Sequence, residues 1–340
     1  MNIISKRSSL GLAALLAISL TGCGGGSGSG PTEEGMGVFN LSVSDGGIDA
    51  AKVCIKFDGV QIKPTGEDQP IEIVLDEPVI VNLLANQGAN SQPITSEQVP
   101  AGTYEWIRLM VDASRGSNGG VNDGGLATDA CEVDGDGSYL LDPDGNTYNL
   151  FVPSGDQSGL KLIKDITIPV NASGDYTAEW DLGKSFIAPP GLAPDALMKP
   201  VVKLVANNEV GTLVGQVADE LVNPAPVEPP ACDSEFAPKV YVFDEGVDPN
   251  AINDPDDPDE LDPVATGLVT QQQQDDGSMQ YRYSIGFLLP GRYDPVFTCD
   301  GETFVTPFPE NQEGLVEGVT TAIEVGETTT VDFLIDDAGA

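Results

Sequence analysis

From Val38 onward the side chains alternate with a period of two, and that period admits strands and excludes a helical bundle. Val38-Phe39-Asn40-Leu41-Ser42-Val43 alternates apolar with polar, and Ala51 to Phe57 places Val53, Ile55 and Phe57 on one face with Lys52, Cys54 and Lys56 on the other. Gly, Asn, Asp and Pro break the pattern at short intervals, as turns between strands require. The pattern predicts an all-β body. Further strands are expected at Gln69 to Leu75, Val79 to Leu84, Gly102 to Val111, Thr147 to Val152, Leu160 to Val170, Ala178 to Leu182 and Lys199 to Leu204. Asp112 to Asp144, rich in Gly, Asn and Asp, reads as long surface loops.

Around Asn207-Asn208-Glu209 the pattern stops, and Val210 to Val217 opens a new alternating strand, so a second β-sandwich is expected from residue 208. Its strands would include Lys239 to Phe243, Val264 to Val269, Gln280 to Leu288, Arg292 to Thr298, Glu302 to Val305, Thr320 to Val325 and Thr328 to Ile335. Proline-rich Asn223 to Pro230 and the Asp-Pro steps of Asp244 to Asp262 read as loops. One short feature recurs in both halves, Val99-Pro100-Ala101-Gly102-Thr103-Tyr104 and Leu289-Pro290-Gly291-Arg292-Tyr293. Pro and Gly set a tight turn, and the tyrosine hydroxyl is placed to bond back to the turn's backbone, as at the corner of a β-sandwich.

Ahead of this body, Lys6 and Arg7 precede an apolar run from Leu10 to Leu20 that is too short to span a bilayer of about 30 Å. The run ends in Leu20-Thr21-Gly22-Cys23, which resembles a bacterial lipobox. That resemblance implies cleavage before Cys23, acylation of Cys23 and a mature chain tethered to a membrane by lipid. Gly24 to Gly30, nearly all glycine and serine, reads as a flexible leash, and Gly24 in place of an aspartate resembles the pattern of lipoproteins sent to the outer membrane, on its periplasmic or cell-surface face. The expected organisation is a signal peptide over 1–22, a tether over 23–36, and sandwiches over 37–207 and 208–340.

Without its first 22 residues the chain keeps 13 basic residues against 54 acidic ones, a net charge of −41. Such a field repels nucleic-acid phosphates and anionic headgroups, so binding to either through a basic patch is not expected. Four cysteines remain besides Cys23, two in each half: Cys54, Cys131, Cys232 and Cys299. Export to an oxidising compartment favours disulfides, and of the three possible pairings the one within halves, Cys54–Cys131 and Cys232–Cys299, fits the division; four buried thiols are the alternative.

Several stretches together carry a wider resemblance. They are Leu41-Ser42-Val43-Ser44-Asp45 with Ile48 to Val53, then Val99 to Leu109, Val152-Pro153-Ser154-Gly155 with Ser158 to Leu162, Trp180 to Ser185, and Lys199 to Val205. In this order and spacing, residues 37 to 206 resemble the bacterial lipoprotein domain of unknown function 4382. The resemblance implies a fold and an address but no reaction. The second half is similar to transthyretin-like or carboxypeptidase-regulatory-like sandwiches through Gly211 to Val217, Leu289 to Tyr293 and Val325 to Thr329, modules that serve as spacers or binding domains.

Chemistry is narrowed by the absence of histidine, which removes imidazole zinc sites and the usual base of Ser and Cys nucleophiles. Ser158-Gly159-Leu160-Lys161 has Ser-x-x-Lys spacing but enters a strand, and Gly183-Lys184-Ser185 lacks the leading glycine of a phosphate loop. Asp134-Gly135-Asp136-Gly137 and Asp142-Pro143-Asp144-Gly145-Asn146 alternate carboxylates with turn formers, so Asp134, Asp136, Asp142 and Asp144 are candidate calcium ligands, with a solvated acidic loop as the alternative. Asp254, Asp256, Asp257, Asp259 and Asp262 form a second acidic cluster. The expected function is a non-catalytic envelope binding or structural module with a glycan or protein ligand; the alternative is a carboxylate-dependent hydrolase of glycans.

Overall fold

The computed structural model describes residues 35–113, 130–131, 137–153, 159–187, 195–223, 232, 237–248, 263–301 and 315–335. Its first twelve strands are β1 (Met36–Asp45), β2 (Lys52–Pro64), β3 (Ile71–Asn82), β4 (Gln92–Pro100), β5 (Gly102–Val111), β6 (Tyr139–Leu141), β7 (Thr147–Phe151), β8 (Leu160–Ile168), β9 (Ser173–Trp180), β10 (Phe186–Ile187), β11 (Asp195–Met198) and β12 (Val202–Ala206). They form a four-stranded sheet in the order β12-β9-β1-β4 and an eight-stranded sheet running β10-β11-β7-β6-β2-β5-β8, with β3 paired to β2.

Alternation explains the packing. Phe39, Leu41 and Val43 of β1 are fully buried, and they meet Val53, Ile55, Phe57, Val60 and Ile62 of β2 in one apolar cluster that runs on to Ala206. Within β2 the register shifts between Phe57 and Gly59, which preserves the inward face across the bulge. A Cβ on Gly59 would lie 2.7 Å from the carbonyl oxygen of Ile73, so only glycine lets β3 approach there. β1 pairs antiparallel with β4 and parallel with β9, so the first strand is held on both edges.

The remaining strands are β13 (Gly211–Val217), β14 (Ala237–Asp244), β15 (Ala265–Leu268), β16 (Thr270–Gln273), β17 (Met279–Leu288), β18 (Gly291–Gly301), β19 (Val316–Glu317), β20 (Thr321–Ile323) and β21 (Thr328–Thr330). They form a sheet β16-β17-β13-β21 and a sheet β15-β14-β18-β19 with β20 on β18. Leu213, Val240, Ile285, Phe297 and Phe333 lie in the second apolar cluster between them. The protein is therefore all-β, with two pairs of sheets, and Gly35–Ala340 makes one compact unit.

Three expectations are revised. The two strands expected over Gln69 to Leu84 are one, β3, which runs through Asp76-Glu77-Pro78. The stretch read as loops to Asp144 contains β6, whose Tyr139, Leu140 and Leu141 are all buried. β4 and β16 were not expected, because their polar, exposed residues hide an edge-strand pattern. The strand expected at Glu302 to Val305 lies outside the described residues, as does the cluster of Asp254 to Asp262.

Candidate functional site

Cys23, Asp134 and Asp136 lie outside the described residues. The other cysteines are joined as Cys54–Cys131 and Cys232–Cys299, with Cα atoms 5.9 and 4.7 Å apart. Asp142, between β6 and β7, is buried, and its carboxylate accepts from the Asn146 amide at 2.7 Å, the Asn146 side-chain amide at 2.8 Å and the Tyr148 hydroxyl at 3.2 Å. Asp144 is exposed at the tip of the same turn. Burial, and next the neighbouring Asp142 charge, push the Tyr148 phenol upward. Asp142 thus ties a hairpin turn together. Among the described residues no group of three or more Asp, Glu or Cys is arranged to hold a metal ion.

The structure gathers a set of ionisable groups that the sequence did not single out. Asp45 ends β1, in register with Trp180 at the end of β9, and is 3% exposed. Among the described residues neither of its carboxylate oxygens has a hydrogen-bond partner of full geometry, the Gly47 amide being the nearest approach to one. Burial raises its pKa well above the ordinary range; the Gly47 amide opposes that shift, Glu179 and Asp181 add to it, and Lys239 opposes it weakly. Glu179 is also buried and raised by burial, with Lys203 as the main opposing charge at 3.2 Å. Asp49 is raised by burial and lowered by Lys239.

These groups line the seam between the two pairs of sheets. Lys203 donates to the carbonyl of Val264 at 2.7 Å, and Lys184, 3.3 Å from Asp181, donates to the carbonyl of Pro263 at 3.1 Å. A Cβ on Gly46 would meet the Thr266 and Trp180 carbonyl oxygens at 3.3 and 3.4 Å, so a bare backbone fits this approach best. The Asp181 carboxylate also accepts from the Lys184 amide, capping the single helical turn Leu182–Ser185 in which the Gly-Lys-Ser sequence lies. A carboxyl at 3% or 5% exposure is walled off from any polymeric substrate, and what it can do here is set the electrostatics of the seam.

Reactant access exists elsewhere. A groove of about 670 Å³ opens between β8, β9 and the turn Asn207–Glu209, lined by Lys164, Asp165, Asp175, Tyr176, Asn207 and Glu209 among others. Its walls are already bonded: Asp175 accepts from Asn40 at 2.6 Å and Ser173 at 2.8 Å, and the Tyr176 hydroxyl accepts from the Thr167 amide and donates to the Thr167 carbonyl. Among the described residues the carboxyl groups raised by burial are Asp45, Asp49, Asp58 and Glu179, and none of them lines this groove. The groove offers polar surface to a ligand and no activated acid.

Residues 36–200 match the family model of the Domain of unknown function (DUF4382). The matched segment covers β1 to β11, including Asp45, Glu179 and Asp181 at the seam, while Lys203 and Lys239 fall beyond it. No curated protein matches the chain. Among solved structures, a candidate adhesin from Bacteroides ovatus is 9% identical over 93% of this chain and 96% of its own, with a TM-score of 0.19. The major pilin from Streptococcus pyogenes is 9% identical over 89% of this chain and 100% of its own, with a TM-score of 0.16. TM-scores this low carry no inference for this chain.

Proposed function

We propose that this chain is a lipid-anchored cell-envelope lipoprotein, acylated at Cys23 and sorted to the outer membrane, whose paired sandwiches act as a non-catalytic binding or surface module. The observation that supports it best is the separation of acidity from access. Asp45 and Glu179 are sealed in the seam, and neither they nor the more open Asp49 and Asp58 line the groove at β8 and β9, whose side chains are already engaged with one another. A hydrolase needs the reverse, a perturbed acid or base facing the substrate. The lipobox residues Leu20 to Cys23 and the Gly/Ser leash supply the anchor, and the absence of histidine adds to the non-catalytic reading. No helix among the described residues is long and apolar enough to cross a membrane, so attachment in this reading rests on acyl chains.

Two measurements test it. Labelled palmitate is expected to enter the protein and to be lost in Cys23→Ala, with the mature amino terminus at residue 23. Equilibrium binding against envelope glycans and peptides is expected to yield a ligand without turnover; product formation that vanishes when one carboxylate is replaced would overturn the non-catalytic part.

A further inference from the structure

The outer face of the eight-stranded sheet carries a grouping that the net charge of the chain conceals. Trp106 on β5 and Ile163 on β8 are register partners, and so are Arg108 and Lys161. The Arg108 guanidinium lies 4.9 Å from the Trp106 ring centroid and the Lys161 ammonium 4.6 Å from it. Ile163 is 81% exposed, among the largest apolar exposures in the molecule. Arg108 donates to Gln61 at 3.1 Å, and neither it nor Lys161 meets a carboxylate among the described residues, although the chain has 54 acidic residues to offer. Two cations on an indole ring beside a bare isoleucine combine what a lipid interface selects: an aromatic for the headgroup level, an aliphatic for the acyl boundary and cations for phosphate.

The position of this face relative to the leash argues for the same partner. Gly35, where the body begins, accepts from the amide of Ala101, one residue before β5, and packs against the side chain of Val170 just past β8. Trp106 is five residues along the strand from Ala101, about 16 Å at the ordinary strand rise. Met36, the first residue of β1 in the facing sheet, and Val170, just past β8, are themselves 43% and 58% exposed. From Gly24 to Glu34 the leash has 11 residues, with a root-mean-square span of roughly 18 Å if flexible. A body anchored at Cys23 therefore keeps Trp106 within reach of the bilayer at high effective concentration. The net charge predicts repulsion from lipid phosphates, but that field is screened beyond about 8 to 10 Å in physiological salt, and the two charges lying against Trp106 are both cations.

We propose that the Trp106, Arg108, Lys161 and Ile163 face rests on the phospholipid surface to which the chain is anchored, with Trp106 and Ile163 at the headgroup–acyl boundary and the two cations on lipid phosphates. This rests on the lipid anchor at Cys23 put forward above.

The protein has two tryptophans, and Trp180 is fully buried, so collisional quenching reads Trp106. The full lipidated chain is reconstituted into phosphatidylethanolamine/phosphatidylglycerol vesicles with and without a nitroxide lipid labelled near the headgroup, alongside Trp106→Phe, Lys161→Glu and Ile163→Ser. Quenching of the wild-type emission is expected, absent in Trp106→Phe and weakened in the other two, whose substituted side chains are exposed. Pure phosphatidylcholine vesicles are expected to quench as well, through their phosphates. A chain that floats with the vesicles but keeps an unquenched Trp106 overturns the docking and leaves the anchor standing; one that does not float overturns both. Trp106 emission that answers to protein concentration or to soluble acidic glycan, and not to vesicles, assigns the face to a second copy or a sugar and equally overturns the proposal.

Discussion

The hydroxyl of Tyr104 donates to the carbonyl oxygen of Pro100, four residues back, at 2.5 Å. Tyr293 repeats this in the second pair of sheets, donating to Leu289 at 2.9 Å. In both cases the ring is buried, so the hydroxyl reaches back to close a turn whose carbonyl would otherwise depend on water. Tyr104→Phe and Tyr293→Phe keep the ring and remove the hydroxyl that makes this bond. Each is expected to destabilise by about 1 kcal/mol, read as a lower urea midpoint at unchanged slope. Because the two corners belong to different apolar clusters, the double variant is expected to show the sum.

Asp45 gives the protein a pH dependence of definite sign. Burial raises its folded pKa above the unfolded value, so its contribution to stability is fully present below about pH 4 and is lost as pH climbs through the folded value. Asp49, Asp58 and Glu179 are raised too and act in the same direction. Stability is expected to fall from mild acid toward neutrality, with one proton accounting for a slope of about 1.4 kcal/mol per pH unit. Asp45→Asn keeps the shape and cannot ionise, and urea midpoints of this variant measured from pH 4 to 8 are expected to fall less steeply. Parallel slopes for variant and wild type would refute the assignment.

Each disulfide closes a long loop, with sequence separations of 77 and 67 residues. Cys54→Ser with Cys131→Ser, and Cys232→Ser with Cys299→Ser, are each expected to cost about 2 to 5 kcal/mol by chain entropy. Thermal melts with and without a reductant check this, and the reductant should leave a variant lacking both bridges unaffected.

Asp142 separates a turn-tying role from a metal role. Its three accepted bonds predict that Asp142→Ala costs about 2 kcal/mol. The loss should be equal in calcium and in chelator. A loss confined to calcium-containing buffer would assign the carboxylate to a bound ion instead.

Local patterns were legible in the sequence, and tertiary juxtapositions were not. Val53, Ile55 and Phe57 announce β2 because burial on one face imposes a period of two, and both tyrosine corners are readable because donor and acceptor lie four residues apart. β4 escapes notice because it is an edge strand: Gln92, Pro93, Ser96, Glu97 and Gln98 are exposed, and its identity comes from pairing with β1. β3 looked like two strands because Pro78 falls inside it, tolerable where β3 has no neighbour but β2. The seam is illegible for a different reason. Asp45 and Lys239 are nearly two hundred residues apart, and among so many acidic residues only burial distinguishes Asp45; the glycine pair after it, Gly46-Gly47, was the one available hint of close backbone approach.

The placement of β1 has a mechanical consequence. Met36–Val43 is laddered to β4 on one side and Val38–Asp45 to β9 on the other. Tension transmitted along β1 from its amino end loads both ladders at once in shear, and their hydrogen bonds must break together instead of peeling one after another. If the chain is tethered through Cys23 as proposed, β1 is the strand that would bear drag, and the hairpin tips further along the chain could be displaced without that grip being released.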